Sequence, residues 1–302
     1  MKLTTTLWRT LLLILLLAPI AAHAEGVITI TTPRAIGTLH SIDIQGSGPI
    51  RIEGFEDGDM NLAGDEGYVQ FRLASQTIRI YGDVTVLRCS NLTPTSLDVS
   101  QNAALEELDC SNSSNNSSGP LTTLSLPSSA TLTVLNCSNN QLTSIDVTEC
   151  TGLSTFNCSN NPLTSIDVTK NTALKELSCD KTQLTSIDVT KNTALEKLNC
   201  DDNQLTSIDV TKNLALRTLS CDKNQLTSID VTKNTALSGL YCGDNPFTTI
   251  DLTQNTQLSI LHIPNHQLTT IDLRNNPELF TIRLINGKLE SIQLPSELHH
   301  IL

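Results

Sequence analysis

One 21-residue phrase returns almost unchanged through the middle of this chain, and it constrains the fold more than any other feature. It reads LTSIDVTKNTALKELSCDKTQ from Leu163 and comes back at Leu184, Leu205 and Leu226 with few substitutions. A fixed period of this length marks a solenoid, in which each repeat is one coil stacked on the last. In one coil Leu174, Leu177, Cys179, Leu184, Ile187, Val189 and Ala173 are the residues expected to point inward. Burying them only against each other does not offset the entropy of ordering the whole repeat. A coil is therefore stable only between neighbours that close both of its faces, and the array must fold as one rod.

The cysteines give the register. Cys89, Cys110, Cys137, Cys158, Cys179, Cys200, Cys221 and Cys242 follow at steps of 21 residues, with one step of 27. The extra residues fall in the Ser/Asn/Gly stretch 111–120, which predicts a loop inserted into one coil. Ile263 and Leu284 continue the same slot, so ten coils run from Val84 to Leu302. Both arms of a coil alternate with period 2, as in Glu176-Leu177-Ser178-Cys179 and Ser186-Ile187-Asp188-Val189. No window carries a helical pattern. The expected fold is mostly β, a right-handed solenoid whose second arm is extended or turn-like. Without wider helices on that arm, curvature should be low.

Within the unit, Leu174, Leu177, Cys179 and Leu184 follow the order LxxLxLxxNxL, with cysteine in place of the third leucine. Asn203, Asn224 and Asn245 fill the Asn slot in later coils, and Thr182 fills it in this one. These residues resemble the cysteine-ladder leucine-rich-repeat family that includes internalin J and related bacterial surface proteins. The resemblance covers about Val84 to Leu302. It implies a secreted or surface protein that binds a partner, often in adhesion. The preceding segment reads as β-rich, where internalins carry a helical cap.

Ahead of the array, residues 1–24 read as a signal peptide. Lys2 and Arg9 supply the positive start, Leu11 to Leu17 the apolar run, and Ala22-His23-Ala24 the small-residue cleavage pattern. Export is expected, with the mature chain secreted, at the cell surface or in the periplasm, and no membrane insertion after cleavage. Residues 25–83 lack the period. Val27-Ile28-Thr29-Ile30, Ile42-Asp43-Ile44, Ile50-Arg51-Ile52 and Thr77-Ile78-Arg79-Ile80 are short alternating strands bounded by Gly or Pro. They suit a β-rich cap sealing one end of the core, with an independent ligand-binding module as the sharper reading.

Charge and composition exclude several roles. A net charge of −12 argues against nucleic acid and anionic membranes as partners. Asp57, Asp59, Asn61 and Asp65 sit at positions 1, 3, 5 and 9 of a calcium loop, but Leu62 replaces the sixth-position glycine and Tyr68 the final Glu. A solvated acidic turn is expected there, and no metal or cofactor anywhere. No nucleophile elbow, HExxH or phosphate loop is present, so no catalytic residues are expected. His262 and His266 are four apart, but on a strand and turn that spacing does not converge on a metal.

Three repeated columns remain. The eight aligned cysteines are read as buried, unpaired, structural thiols, with Cys150 apart in a turn slot held elsewhere by Asn171, Asn192 and Asn213. Asn203, Asn224 and Asn245 are expected to bond backbone groups at the corners. Asp98, Asp146, Asp167, Asp188, Asp209, Asp230, Asp251 and Asp272 form an outward file. Lys170, Lys191, Lys212 and Lys233, with hydroxyls from Ser165, Ser186 and Ser207, are expected to compensate it; a cation-binding stripe is the alternative.

The LxxLxC arm is the expected binding face, because its outward residues vary between coils. Glu106, Glu107 and Asp109 make its first coils acidic. Towards the other end Tyr241, Ile260, His262, Phe280 and Arg283 gather hot-spot residue types in a chain only 3% aromatic. The whole reading is a non-enzymatic, monomeric scaffold that binds a protein partner, in adhesion or surface recognition. A structural component of a bacterial envelope complex is the first alternative. A glycan-binding protein is the second, disfavoured because the only tryptophan, Trp8, lies in the leader.

Overall fold

A computed structural model describes residues 26–65, 67–112 and 119–295. The expected signal peptide and most of the expected inserted loop lie outside the described residues. The strands are Val27–Thr31 (β1), Leu39–Gly46 (β2), Ile50–Glu53 (β3), Met60–Leu62 (β4), Tyr68–Arg72 (β5), Thr77–Tyr81 (β6) and Val84–Arg88 (β7). Next come Ser96–Asp98 (β8), Glu107–Asp109 (β9), Thr123–Ser125 (β10), Val134–Asn136 (β11), Thr155–Asn157 (β12), Glu176–Ser178 (β13) and Lys197–Asn199 (β14). Thr218–Ser220 (β15), Gly239–Tyr241 (β16), Ile260–His262 (β17), Thr270–Asp272 (β18), Thr281–Arg283 (β19) and Ser291–Gln293 (β20) complete the order. Among the described residues there is one short 3-10 turn, Ser90–Leu92, and no α-helix.

Three-residue strands repeat once per coil and pair in parallel, so that β7, β9, β11 to β17 and β19 form one long sheet. Equivalent residues fall opposite one another, as with Leu177, Leu198 and Leu219. This register follows from the alternation, since a slip of one residue would turn every leucine outward. The second arm is extended and turn-like. Among the described residues it forms ladders only near the ends, at β8–β10 and β18–β20.

Both arms continue into residues 26–83. Strand β2 joins β7 antiparallel, β1 joins β8 antiparallel, and β5, β6, β3 and β4 extend the two sheets outward. The first coil therefore meets antiparallel strands on one side and parallel strands on the other. Ile28, Ile30, Ile44, Ile52 and Ile80 are fully buried and merge with Leu87, Leu108 and the later leucines into one cluster. The end of the core is thus closed by hydrogen-bonded extension of the same sheets, which satisfies the backbone groups of the first coil as well as its apolar face.

All nine cysteines are buried and unpaired. Of the residues expected to point inward, Ala173 is exposed, and the fully buried Asn171 takes the interior position beside it. The turn at this corner directs the amide inward, where Nδ2 donates to the carbonyls of Val147 at 2.9 Å and Cys150 at 2.8 Å. Cys150 itself fills this slot one coil earlier, with Sγ 3.4 Å from the Pro127 carbonyl.

Candidate recognition face

The long parallel sheet presents its outward side chains in straight rows, because neighbouring strands share one register. One row ends Ser178, Asn199, Ser220, Tyr241, His262 and Arg283. The structure therefore aligns three of the five candidate binding residues. Ile260 lies two residues back on the same strand, in the row of Gly239 and Thr281. Phe280 stands outside both rows, just before β19, where its amide donates to the Ser259 carbonyl, and it is 75% exposed. Tyr241 and His262 meet edge to face, their ring centres 5.8 Å apart.

A groove of about 240 Å³ runs over this sheet, lined by Glu176, Ser178, Lys197, Asn199, Thr218, Ser220 and Tyr241. Its walls carry both charges, with Lys197 bonded to Glu176 at 2.7 Å. The acidic start of the face is partly neutralised, since Arg88 donates to both Asp43 and Glu107. A wider hollow of about 840 Å³ lies at the other arm, where the exposed Leu214 sits among Lys191, Lys212 and Lys233.

Past the strand ends, Asp180, Asp201 and Asp222 follow three successive ladder cysteines. Burial pushes the Asp201 carboxyl up to about 6, with Asp222 and Asp180 adding to the shift. Asp222 is raised as well, mainly by burial. The imidazole of His262 is held below its ordinary value by burial and then by Arg283. Its Nδ1 stands 3.9 Å from Asp222 Oδ2.

The Asp file on the second arm has a different chemistry from the one expected. Each of Asp146, Asp167, Asp188, Asp209, Asp230 and Asp251 accepts the backbone N–H and the hydroxyl of the threonine two residues on, for example Thr190 at 2.9 and 2.7 Å from Asp188. The compensating hydroxyls belong to threonines rather than to Ser165, Ser186 and Ser207. An Asx turn points the threonine hydroxyl at the carboxylate, whereas the serines lie before it on the extended arm. Lysine makes a smaller contribution: Lys191 lowers the Asp188 pKa less than Thr190 does. Lys170 bonds Glu149 instead, at 2.9 Å.

The calcium-loop candidates are dispersed. Asp59 faces Arg51 at 3.3 Å, Asn61 lies exposed on β4, and Asp57 and Asp65 are exposed. His266 is buried in the Asn slot of its coil, beneath Gly287. Among the described residues, no three His, Cys, Asp or Glu side chains are grouped as a metal would require. No helix among the described residues is long and apolar enough to cross a membrane.

Comparison with known proteins places this geometry. The family model described as Leucine Rich repeats (2 copies) matches residues 130–170. The functional domain of InlJ from Listeria monocytogenes, whose structure includes a cysteine ladder, is similar at 36% identity and a TM-score of 0.63. These coils are leucine-rich repeats. The match to InlJ covers 67% of this chain and 44% of that one, so the chain spans less than half of its length. A leucine-rich-repeat protein of Leptospira interrogans matches at 22% identity and a TM-score of 0.52, over 65% of this chain and 62% of that one. The leucine-rich-repeat ectodomain of the Arabidopsis thaliana receptor kinase GASSHO1/SCHENGEN3, solved with CASPARIAN STRIP INTEGRITY FACTOR 2, matches at 20% identity and a TM-score of 0.51. That match covers 62% of this chain and 28% of the ectodomain chain. Both of these likenesses are of fold. No curated protein matches the sequence.

Leucine-rich repeats expose one ordered sheet on a rigid core, and in this chain the ladder cysteines belong to that core. Cys179, Cys200 and Cys221 are fully buried between the leucines. Burial pushes the Cys89 and Cys137 thiols up to about 12. A thiol in that state is a packing group and not a nucleophile.

Proposed function

We propose that this chain is an exported, non-enzymatic recognition module that binds a protein partner on the long parallel sheet. The observation that carries the reading is a contrast between the two arms of the same coils. On the second arm the exposed residues repeat, as in Thr164, Thr185, Thr206 and Thr227, and Asp167, Asp188, Asp209 and Asp230. On the sheet the outward row changes character along its length, from Asn136, Asn157, Ser178, Asn199 and Ser220 to Tyr241, His262 and Arg283. The interior constrains neither set, so the varied face is where specificity is written.

The recognition residues are Tyr241, Ile260, His262 and Arg283, with Phe280 at the margin. Aromatic and Arg side chains on a rigid sheet are the anchors of interfaces. Their rigidity is supplied by coils packed on either side. The leader and the internalin-like coils support export and a surface role in adhesion, with the chain working as a monomer.

The test replaces Ser220 on the sheet and Thr185 on the other arm, in turn, with a photocrosslinking residue and exposes each protein to intact cells. A partner captured through position 220 and lost on combining Tyr241→Ala with Arg283→Ala supports the reading. Capture through position 185 alone would refute it.

A further inference from the structure

The row beyond the ladder cysteines is built on a rule that breaks at one place. Asp180 accepts Asn199 Nδ2 at 3.1 Å, and Asp201 accepts Ser220 Oγ at 2.8 Å. Each donor is the outward residue at the end of the next strand. For Asp222 that position is Tyr241, whose hydroxyl lies at the far end of a ring and makes no bond to the carboxylate. Asp222 keeps one hydrogen bond, from the Gly243 amide at 2.5 Å. Its Oδ2 faces His262 Nδ1 across 3.9 Å, beyond hydrogen-bond range. On the far side of the same ring, His262 Nε2 is buried and has no partner.

Resting on the sheet as the recognition face, we propose that the gap between Asp222, Tyr241 and His262 receives a lysine or arginine side chain of the protein partner. Three features of the gap favour a cation. A half-buried carboxylate with one oxygen unbonded is a charge-assisted acceptor for ammonium or guanidinium. Two aromatic rings set edge to face beside it offer a ring face that such a cation covers. The surrounding charge is acidic: Asp201 and Asp244 flank Asp222, against Lys223 beside it and Arg283 beside His262. The 240 Å³ groove ends at Tyr241 and gives a side chain an approach along the sheet.

Two other features of the chain offer no such gap. The hollow around Leu214 is walled by Lys191, Lys212 and Lys233, and no carboxylate lines it. His266 is sealed beneath Gly287, whose added Cβ would lie 2.0 Å from the ring.

The experiment follows the His262 ring resonances of the full chain by NMR at pH 7 while N-acetyl-arginine amide, N-acetyl-lysine amide or the neutral N-acetyl-norleucine amide is added. Saturable shifts with the two cations and none with norleucine are expected. Affinity should fall at least tenfold in Asp222→Asn and in Tyr241→Ala and stay unchanged in the distant Asp57→Asn, each variant checked for a single cooperative melt. Equal shifts with norleucine, or undiminished shifts in Asp222→Asn, would overturn the proposal. These probes need no partner, so their failure leaves the sheet as the recognition face intact, and failed crosslinking leaves the pocket intact.

Discussion

Asn203 reaches back one coil and takes the Leu184 amide on its Oδ1 at 2.9 Å. The same side chain donates from Nδ2 to the carbonyls of Cys179 at 2.9 Å and Cys200 at 3.2 Å. One buried amide therefore ties two coils together at the corner. Asn224 and Asn245 repeat the pattern on Leu205 and Leu226. Asn203→Ala orphans the buried Leu184 N–H, while the Cys179 carbonyl keeps the Thr182 hydroxyl and the Cys200 carbonyl keeps Asn224 Nδ2, both at 3.0 Å, and it should cost about 1–3 kcal/mol. Thr182 shows what a shorter side chain does in this slot. It still donates to Cys179 at 3.0 Å, but Leu163 turns its amide to Asn161 instead. Asn203→Thr should accordingly cost less than Asn203→Ala in a urea melt.

The residue before this slot is left-handed in every coil from Asn139 onward. Its φ is 59° at Asn139, 51° at Lys181, 54° at Asp202 and 53° at Lys223. Asn and Asp tolerate that conformation through local hydrogen bonds, whereas a lysine is strained by its Cβ. Lys223→Asn should raise stability by up to about 1 kcal/mol. A melting temperature equal to or below wild type would show that the corner does not store this strain.

The spacing of the cysteines was enough to place every strand of the ladder, because inward Leu and Cys admit only one register. The alternation in residues 27–80 likewise marked strands. Sheet partners were not legible there, since nothing local distinguishes β1 pairing with β8 from a free-standing hairpin. Columns were harder to resolve than rows. Threonine at i+2 and lysine at i+3 recur with the same period as Asp188, so periodicity cannot say which one the carboxylate meets. Ala173 was misplaced because Asn171, though polar, is the better inward residue once two coil carbonyls need a donor. On the candidate face, the alignment of Tyr241, His262 and Arg283 follows from register alone. Phe280 does not, since it precedes its strand. The unbonded oxygen of Asp222 was hidden altogether, because it depends on Tyr241 breaking a donor rule visible only in three dimensions.

The thiols provide a test of the core. Strand spacing brings ladder cysteines in adjacent coils to about 4.8 Å, close enough for bridging by distance. Their side chains nevertheless run parallel inside the core, and all nine are unpaired. Burial raises Cys150 to about 11, so even this outlier is protonated at pH 8. Iodoacetamide at pH 8 should label none of the nine in the native protein. In denaturant without reductant it should label all nine. A shortfall after denaturation would reveal a disulfide, and native labelling would reveal an open core.

Two sets of carboxylates give stability opposite dependences on pH. Asp201, raised to about 6 chiefly by burial, favours its protonated form in the folded chain, and Asp222 is raised in the same direction. Their contribution is fully present below the unfolded value and is lost as pH rises through about 6. The Asp file is shifted the other way, with Asp188 lowered first by the Thr190 hydroxyl and then by its amide. That contribution is present above the unfolded value, near 3.8, and is lost as pH falls below it. Both sets favour the fold between about pH 4 and 5. The melting temperature should therefore rise as pH is lowered from 7 to 5, then fall below 4. Asp201→Asn should melt higher than wild type at pH 7 and converge on it at pH 4.5. Thr190→Val should lower the melting temperature throughout pH 4 to 7 and lessen its fall below pH 4, leaving the rise from pH 7 to 5 unchanged, because it removes a hydroxyl that favours the ionised Asp188. A wild-type chain whose melting temperature falls steadily from pH 7 to 5 would contradict the burial assigned to Asp201.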